Sequence, residues 1–123
     1  MSIGKIKAIL IDEEVGAREV LLNLLTRFCP DVEVVGEANG LVNGVKIIKE
    51  KKPEVVFLDI QMPNYAGYEI VDLMDNIDFN IVFITAYDQY AIKAFDVSAL
   101  DYILKPIDID RLVNAVEKVK ERS

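Results

Sequence analysis

Four short apolar runs in this chain each end in a residue able to do polar chemistry. Ile6–Ile11 is followed by Asp12, Glu13 and Glu14, Val55–Leu58 by Asp59, Ile81–Ile84 by Thr85, and Leu100–Leu104 by Lys105. If these runs are neighbouring strands, three or four carboxylates, one hydroxyl and one ammonium converge on one edge. Two carboxylates about 5 Å apart repel by about 3 kcal/mol at an effective dielectric near 20. A divalent cation removes that cost. The chain has no His and a single Cys29, so its hard oxygen donors point to Mg²⁺ (or Mn²⁺) over zinc or copper. Mg²⁺ keeps open positions and favours phosphate oxygens, so such a site suits an incoming phosphoryl group. The metal and Lys105 would neutralise its charge, and the Thr85 hydroxyl would donate to it. Asp59, alone at the end of the central run, is the candidate nucleophile. The adjacent acids after the first run suit metal holding.

Taken singly, these residues have plainer readings. An Asp or Thr after a strand is often a turn residue or helix cap, and a Lys before Pro often lies on the surface. The chemistry rests on their sharing one edge, so the elements that place them matter. Apolar spacing predicts a helix through Leu21, Leu24, Leu25 and Phe28, closed by Pro30, and a strand over Val32–Val35. A second helix carries Leu41, Val45 and Ile48, and ends in Lys49, Glu50, Lys51 and Lys52 before Pro53. A short helix runs through Ile70, Leu73 and Met74, another from Tyr87 through Ala91, Ala94 and Phe95, and a last one carries Leu112, Val113, Val116 and Val119. Continuous apolar strands imply a sheet covered on both faces. The expectation is an α/β fold: a flavodoxin-like, doubly wound, five-stranded parallel sheet in the order 2-1-3-4-5 with five helices, one domain over 1–123, whose ligands meet the carboxyl ends of strands 1 and 3.

Composition narrows the function. The 123 residues are 52% hydrophobic and 28% charged, as in a globular domain. A net charge of −7 disfavours direct nucleic-acid binding. The absence of His excludes His-based triads, His-ligated zinc and a phosphohistidine carrier. Lone Cys29 forms no internal disulfide and reads as a small apolar helix-end residue. No apolar run approaches a membrane span, and Lys5 and Lys7 interrupt any secretory-type segment, so a cytoplasmic location without membrane contact is expected.

These motifs together resemble the receiver domain of two-component response regulators over essentially the whole chain. Ile9-Leu10-Ile11-Asp12-Glu13-Glu14 is similar to the family's acidic first-strand motif. Val56-Phe57-Leu58-Asp59-Ile60-Gln61-Met62-Pro63 is similar to its phosphoacceptor motif. Phe83-Ile84-Thr85-Ala86 and Tyr102-Ile103-Leu104-Lys105-Pro106 resemble its switch Thr, switch aromatic and Lys-Pro elements. The stretch Thr85–Phe95 with Ala99-Leu100-Asp101-Tyr102 resembles the LytTR-type subfamily, in which a DNA-binding domain follows the receiver.

The resemblance implies that a partner sensor histidine kinase phosphorylates Asp59, with Mg²⁺ held by Asp12 or Glu13, Asp59 and the Gln61 main-chain carbonyl. It implies that Lys105 binds phosphoryl oxygens, that Thr85 and Tyr102 switch, and that the Lys105-Pro106 peptide is cis. A signalling module, not a turnover enzyme, is the expectation. Its output would be transcriptional, through a separate C-terminal effector domain that this chain lacks. A phosphorylation-dependent homodimer through the last two helices and strand 5 is also expected. Tyr90, Phe95 and Tyr102 could equally be core or edge aromatics. Gln61 and Tyr87 flank the expected path of a hydrolytic water, where a bulky Tyr87 would slow dephosphorylation.

Glu13 stands where Asp is more usual in the family, Val15 where Pro is common, and Asn64 and Ala66 where Gly and Asp are common. Asn64 is still able to cap a helix, so the loop is expected to persist. A haloacid-dehalogenase-type phosphatase would need an acid at position 61, where Gln61 cannot protonate a leaving group. A flavodoxin would need a Gly- and hydroxyl-rich phosphate loop where Glu13-Glu14 would repel FMN. A pure interaction module would not need Asp12, Asp59, Thr85 and Lys105 together.

Overall fold

The computed structural model describes residues 5–122. Strands β1 (Ile6–Ile11), β2 (Val32–Ala38), β3 (Val55–Leu58), β4 (Asn80–Thr85) and β5 (Asp101–Leu104) form one parallel sheet in the order β2-β1-β3-β4-β5. They alternate with helices α1 (Val15–Phe28), α2 (Leu41–Lys51), α3 (Ile70–Leu73, entered through a 3₁₀ turn at Gly67–Glu69), α4 (Ala91–Asp96) and α5 (Ile109–Arg122). The expected order 2-1-3-4-5 is therefore present, with β1 beside β3 where the winding reverses.

Side chains alternate across the sheet, and both sets are buried. Ala8, Leu10, Phe57, Val82 and Ile84 pack beneath α1 and α5 with Leu21, Leu25, Leu112 and Val116. Ile9, Ile11, Val56, Leu58 and Phe83 pack on the other face with Leu41, Val45, Ile48, Ile70 and Ala94. Burial on two faces is why β3 has no polar position along its length. The helix stops follow local chemistry. The Cys29 N–H donates to the Leu25 carbonyl at 2.8 Å just before Pro30. Lys52 takes a left-handed φ of 50° just before Pro53, which bars the helix from continuing.

Two local expectations differ from the fold. β2 continues past Val35 to Ala38, because Gly36, Glu37 and Ala38 pair with Ile9, Leu10 and Ile11. Ladder pairing overrides the weak strand preference of Gly36, whose missing Cβ would lie 2.7 Å from Ile47 Cγ2. α4 begins at Ala91, not near Tyr87. The Tyr87 N–H donates to Thr85 Oγ1 and its carbonyl accepts from the Tyr102 hydroxyl, so both main-chain polar groups of Tyr87 are engaged outside the helix. Asn64 does not cap the next helix. It adopts a left-handed φ of 72°, and Ala66 occupies the cap position, its N–H donating to Glu69 Oε2 at 2.6 Å.

Candidate functional site

The polar residues at the carboxyl rim are held by the sheet itself. Asp12, Asp59 and Lys105 are each the first residue beyond a strand, and each backbone N–H extends the ladder to a neighbour. Asp12 donates to the Ala38 carbonyl at 3.1 Å, Asp59 to Ile11 at 3.0 Å, and Lys105 to Thr85 at 2.8 Å. Their Cα positions are therefore as fixed as the strands. Asp12 and Asp59 are each 8% exposed and Thr85 is fully buried.

Lys105 Nζ donates to Asp12 Oδ2 at 2.8 Å and to Asp59 Oδ2 at 3.0 Å. The remaining carboxylate oxygens are held by the backbone. Asp12 Oδ1 accepts from the Glu14 N–H at 3.0 Å. Asp59 Oδ1 accepts from the Ile60 N–H at 2.6 Å and more weakly from the Gln61 N–H at 3.4 Å. Burial pushes the Asp12 carboxyl above its ordinary value of 3.8, against the pull of Lys105 and the Glu14 amide. Burial also works to lower the Lys105 pKa, but its hydrogen bonds to Asp12 and Asp59 outweigh that and leave the ammonium above 10.5. With both carboxylates ionised, one cation faces two anions, and the trio keeps a net negative charge.

That imbalance tests the site for a cation. Among the described residues, no group of three or more Asp, Glu or Cys side chains is gathered closely enough to hold a metal ion. Of the three or four carboxylates expected at this edge, two, Asp12 and Asp59, meet on Lys105. Glu13 and Glu14 point into solvent because they follow the buried strand end, at the open start of α1. The donors that do meet are hard oxygens carrying surplus negative charge. They fit a cation such as Mg²⁺, which fills much of its coordination with water.

Thr85 and Tyr102 lie on the far side of β3 from Asp12. Thr85 Oγ1 accepts from the Tyr87 N–H at 3.4 Å, leaving its own hydrogen free to donate elsewhere. The Tyr102 hydroxyl donates to the Tyr87 carbonyl oxygen, and its half-buried ring lies 6.3 Å from that of Phe83. Burial raises the Tyr102 phenol above its ordinary pKa of 10.0. The main chain of one residue, Tyr87, therefore connects the two, its N–H to Thr85 and its carbonyl to Tyr102. The Lys105-Pro106 bond is cis, as the resemblance implies.

Two residues at this rim were not singled out for these roles by the sequence. Arg18 Nη1 donates to the Asp12 main-chain carbonyl at 2.5 Å, while its Nε donates to Glu37 Oε1 at 3.0 Å, tying the end of β1 to β2. A cation in the first turn of a helix works against the helix dipole, and that was the available sign of a specific partner. The other is Tyr90, whose hydroxyl accepts from Gln61 Nε2 at 2.8 Å.

Two buried aspartates, a bridging lysine and a buried threonine at the switch-point rim of a doubly wound sheet place the chain in the flavodoxin-like fold class, with its polar residues where that class binds ligands. Residues 8–117 match the response regulator receiver domain, and the chain belongs to that family, whose members serve two-component signalling. It is 43% identical over 119 residues to the sensory transduction protein LytT of Bacillus anthracis, covering 95% of this chain and 48% of the relative. It is 44% identical over 117 residues to the transcriptional regulatory protein BtsR of Escherichia coli K12, covering 94% and 48%. The chain thus spans about half the length of these curated relatives, and the kinship with LytT agrees with the LytTR-type resemblance. The response regulatory domain of mrkE from Klebsiella pneumoniae superposes with a TM-score of 0.84 at 30% identity, covering 94% of this chain and 96% of that one. The receiver domain of AraT from Geobacillus stearothermophilus gives 0.82 at 30%, covering 95% and 94%. No described helix is long and apolar enough to cross a membrane.

Proposed function

We propose that Asp59 accepts a phosphoryl group from the phosphohistidine of a partner sensor kinase and that the modified domain then changes conformation. The observation that carries this reading is the Lys105 ammonium shared between two buried carboxylates at the switch-point rim. An Asp59 oxygen bonds to phosphorus as the bond to the donor nitrogen breaks, and the electron pair of that bond stays with the nitrogen. The backbone amides of Ile60 and Gln61 hold Asp59 Oδ1 in place during the step. Lys105 turns from the carboxylates toward the incoming phosphoryl oxygens and offsets their charge. Asp12 or Glu13, together with Asp59 and the Gln61 main-chain carbonyl, would hold Mg²⁺ (or Mn²⁺). When bound, that ion supplies the further positive charge that brings a phosphoryl group up to two carboxylates.

Phosphorylation adds nearly two negative charges and three acceptor oxygens. The Thr85 hydroxyl donates to one of them. Because the main-chain N–H of Tyr87 is bonded to Thr85 and its carbonyl to Tyr102, that movement redirects Tyr102 and the surface of α4 and β5. The coupling is the difference in contacts between the two arrangements, typically ~1–3 kcal/mol. The exposed side chains of Ile92 and Phe95 on α4 and Leu104 on β5 suit this surface to a phosphorylation-dependent homodimer. The domain acts in the cytoplasm as a signalling module, and DNA is reached only through a separate effector domain.

The deciding experiment is labelling by acetyl phosphate with Mg²⁺. Wild-type protein is expected to gain one phosphoryl mass and Asp59→Asn none. Equal labelling of the variant rejects Asp59 as the acceptor.

A further inference from the structure

The loop after β3 begins with Asp59, and the loop after β4 begins just past Thr85. A phosphoryl group on Asp59 within reach of Thr85 lies between these loops. One side-chain hydrogen bond joins them on the solvent side: Gln61 Nε2 donates to the Tyr90 hydroxyl at 2.8 Å. Gln61 is exposed, whereas Tyr90 is half-buried and held by its neighbours. The Tyr90 ring centroid lies 6.1 Å from that of Tyr68 and 6.3 Å from that of Tyr87, the latter nearly edge-on at 77°. Tyr90 is therefore the fixed end of the bond, and the flexible Gln61 carboxamide is the end being held.

We propose that Tyr90 is a positioning residue whose hydroxyl fixes the Gln61 side chain across the gap between the two loops and so limits the entry of hydrolytic water. This inference rests on Asp59 phosphorylation as proposed above and adds what sets the lifetime of the modified state. In the step concerned, a water oxygen bonds to phosphorus as the bond from phosphorus to the Asp59 oxygen breaks. The carboxylate keeps the electron pair, and dihydrogen phosphate leaves carrying both protons of the water. A Gln61 side chain released from Tyr90 samples many rotamers and leaves the gap open for part of the time. One neutral hydrogen bond of this kind corresponds to roughly a three- to tenfold change in such an equilibrium.

The test uses Tyr90→Phe, which keeps the ring and its aromatic contacts and removes only the hydroxyl. The chain is phosphorylated with acetyl phosphate and Mg²⁺, freed of donor, and followed by intact mass and by release of inorganic phosphate. Y90F is expected to lose its phosphoryl group roughly three- to tenfold faster than wild type. Gln61→Met, which removes the donor of the same bond, is expected to shift the rate in the same direction and supplies the measurement should Y90F fail to fold. In the double variant Y90F is expected to add nothing to Q61M, a non-additivity that a purely structural role of the ring would not produce. Equal or slower decay in Y90F, or rate effects that multiply in the double variant, overturns the role of Tyr90. Wild-type protein that takes up no label overturns the function proposed above instead, so the two failures are told apart.

Discussion

Replacing Lys105 with Met removes the one cation between two buried carboxylates while keeping most of the side-chain volume. Asp12 Oδ2 and Asp59 Oδ2 lie 2.8 and 3.0 Å from the same nitrogen, so they are no more than about 6 Å apart. In the wild-type protein each contact with Lys105 is worth roughly 6 kcal/mol at an effective dielectric of 20, and much of that is offset by desolvation of the ammonium. Without Lys105 the desolvation cost disappears, but a repulsion of about 3 kcal/mol between the carboxylates is exposed. The metal-free K105M domain is therefore expected to be about 3 kcal/mol less stable at neutral pH, measured as a shift in the urea midpoint by circular dichroism. The pH dependence has a definite sign. Burial already raises Asp12 in the folded protein, and loss of the Lys105 hydrogen bond raises it further. An acid with a raised folded pKa costs stability as pH climbs from its unfolded value through its folded value, and the cost vanishes on acidification. The deficit of K105M is thus full at neutral pH and closes as pH falls toward 3.8. Saturating Mg²⁺ is expected to narrow it as well, since the ion replaces the missing charge. A deficit below about 1 kcal/mol, or one that widens on acidification, would refute the electrostatic account of the trio.

Two further outcomes concern the same rim of the sheet. A Cβ at Gly67 would lie 2.2 Å from the Asp59 carbonyl oxygen and 3.0 Å from Ile60 Cα, both backbone, so Gly67→Ala is expected to cost roughly 2–3 kcal/mol in a urea titration. Wild-type stability of that variant would show that the Asp59 loop yields freely. In alkaline solution the domain is expected to lose stability as pH rises above 10, because burial raises the Tyr102 phenol and the two carboxylates hold the Lys105 ammonium above its usual value. Groups with raised folded pKa values hold their protons in the folded state, so their contribution is complete below the unfolded values and lost above them. Tyr102→Phe is expected to reduce this alkaline loss, and an identical pH profile for the variant would remove Tyr102 from the account.

The pattern of residues along the chain already carried the sheet and its rim. Apolar runs ending in Asp12, Asp59, Thr85 and Lys105 can be buried on two faces only as parallel strands, and that burial sends their polar ends to one edge. Strand order, the adjacency of β1 and β3, and the site nucleus were legible because they depend on local periodicity and handed crossovers. Other features came from contacts between residues distant in sequence. Glu13 and Glu14 stay in solvent, whereas Asp12 turns inward to a lysine 93 residues away. α4 starts late because the main-chain N–H and carbonyl of Tyr87 are taken by Thr85 and Tyr102. Arg18 reaches the Asp12 carbonyl and Glu37, and Tyr90 takes hold of Gln61. Periodicity specifies which face a residue occupies, but a hydrogen bond across a gap needs the two elements at a fixed separation. That separation exists only once the helices have packed onto the sheet.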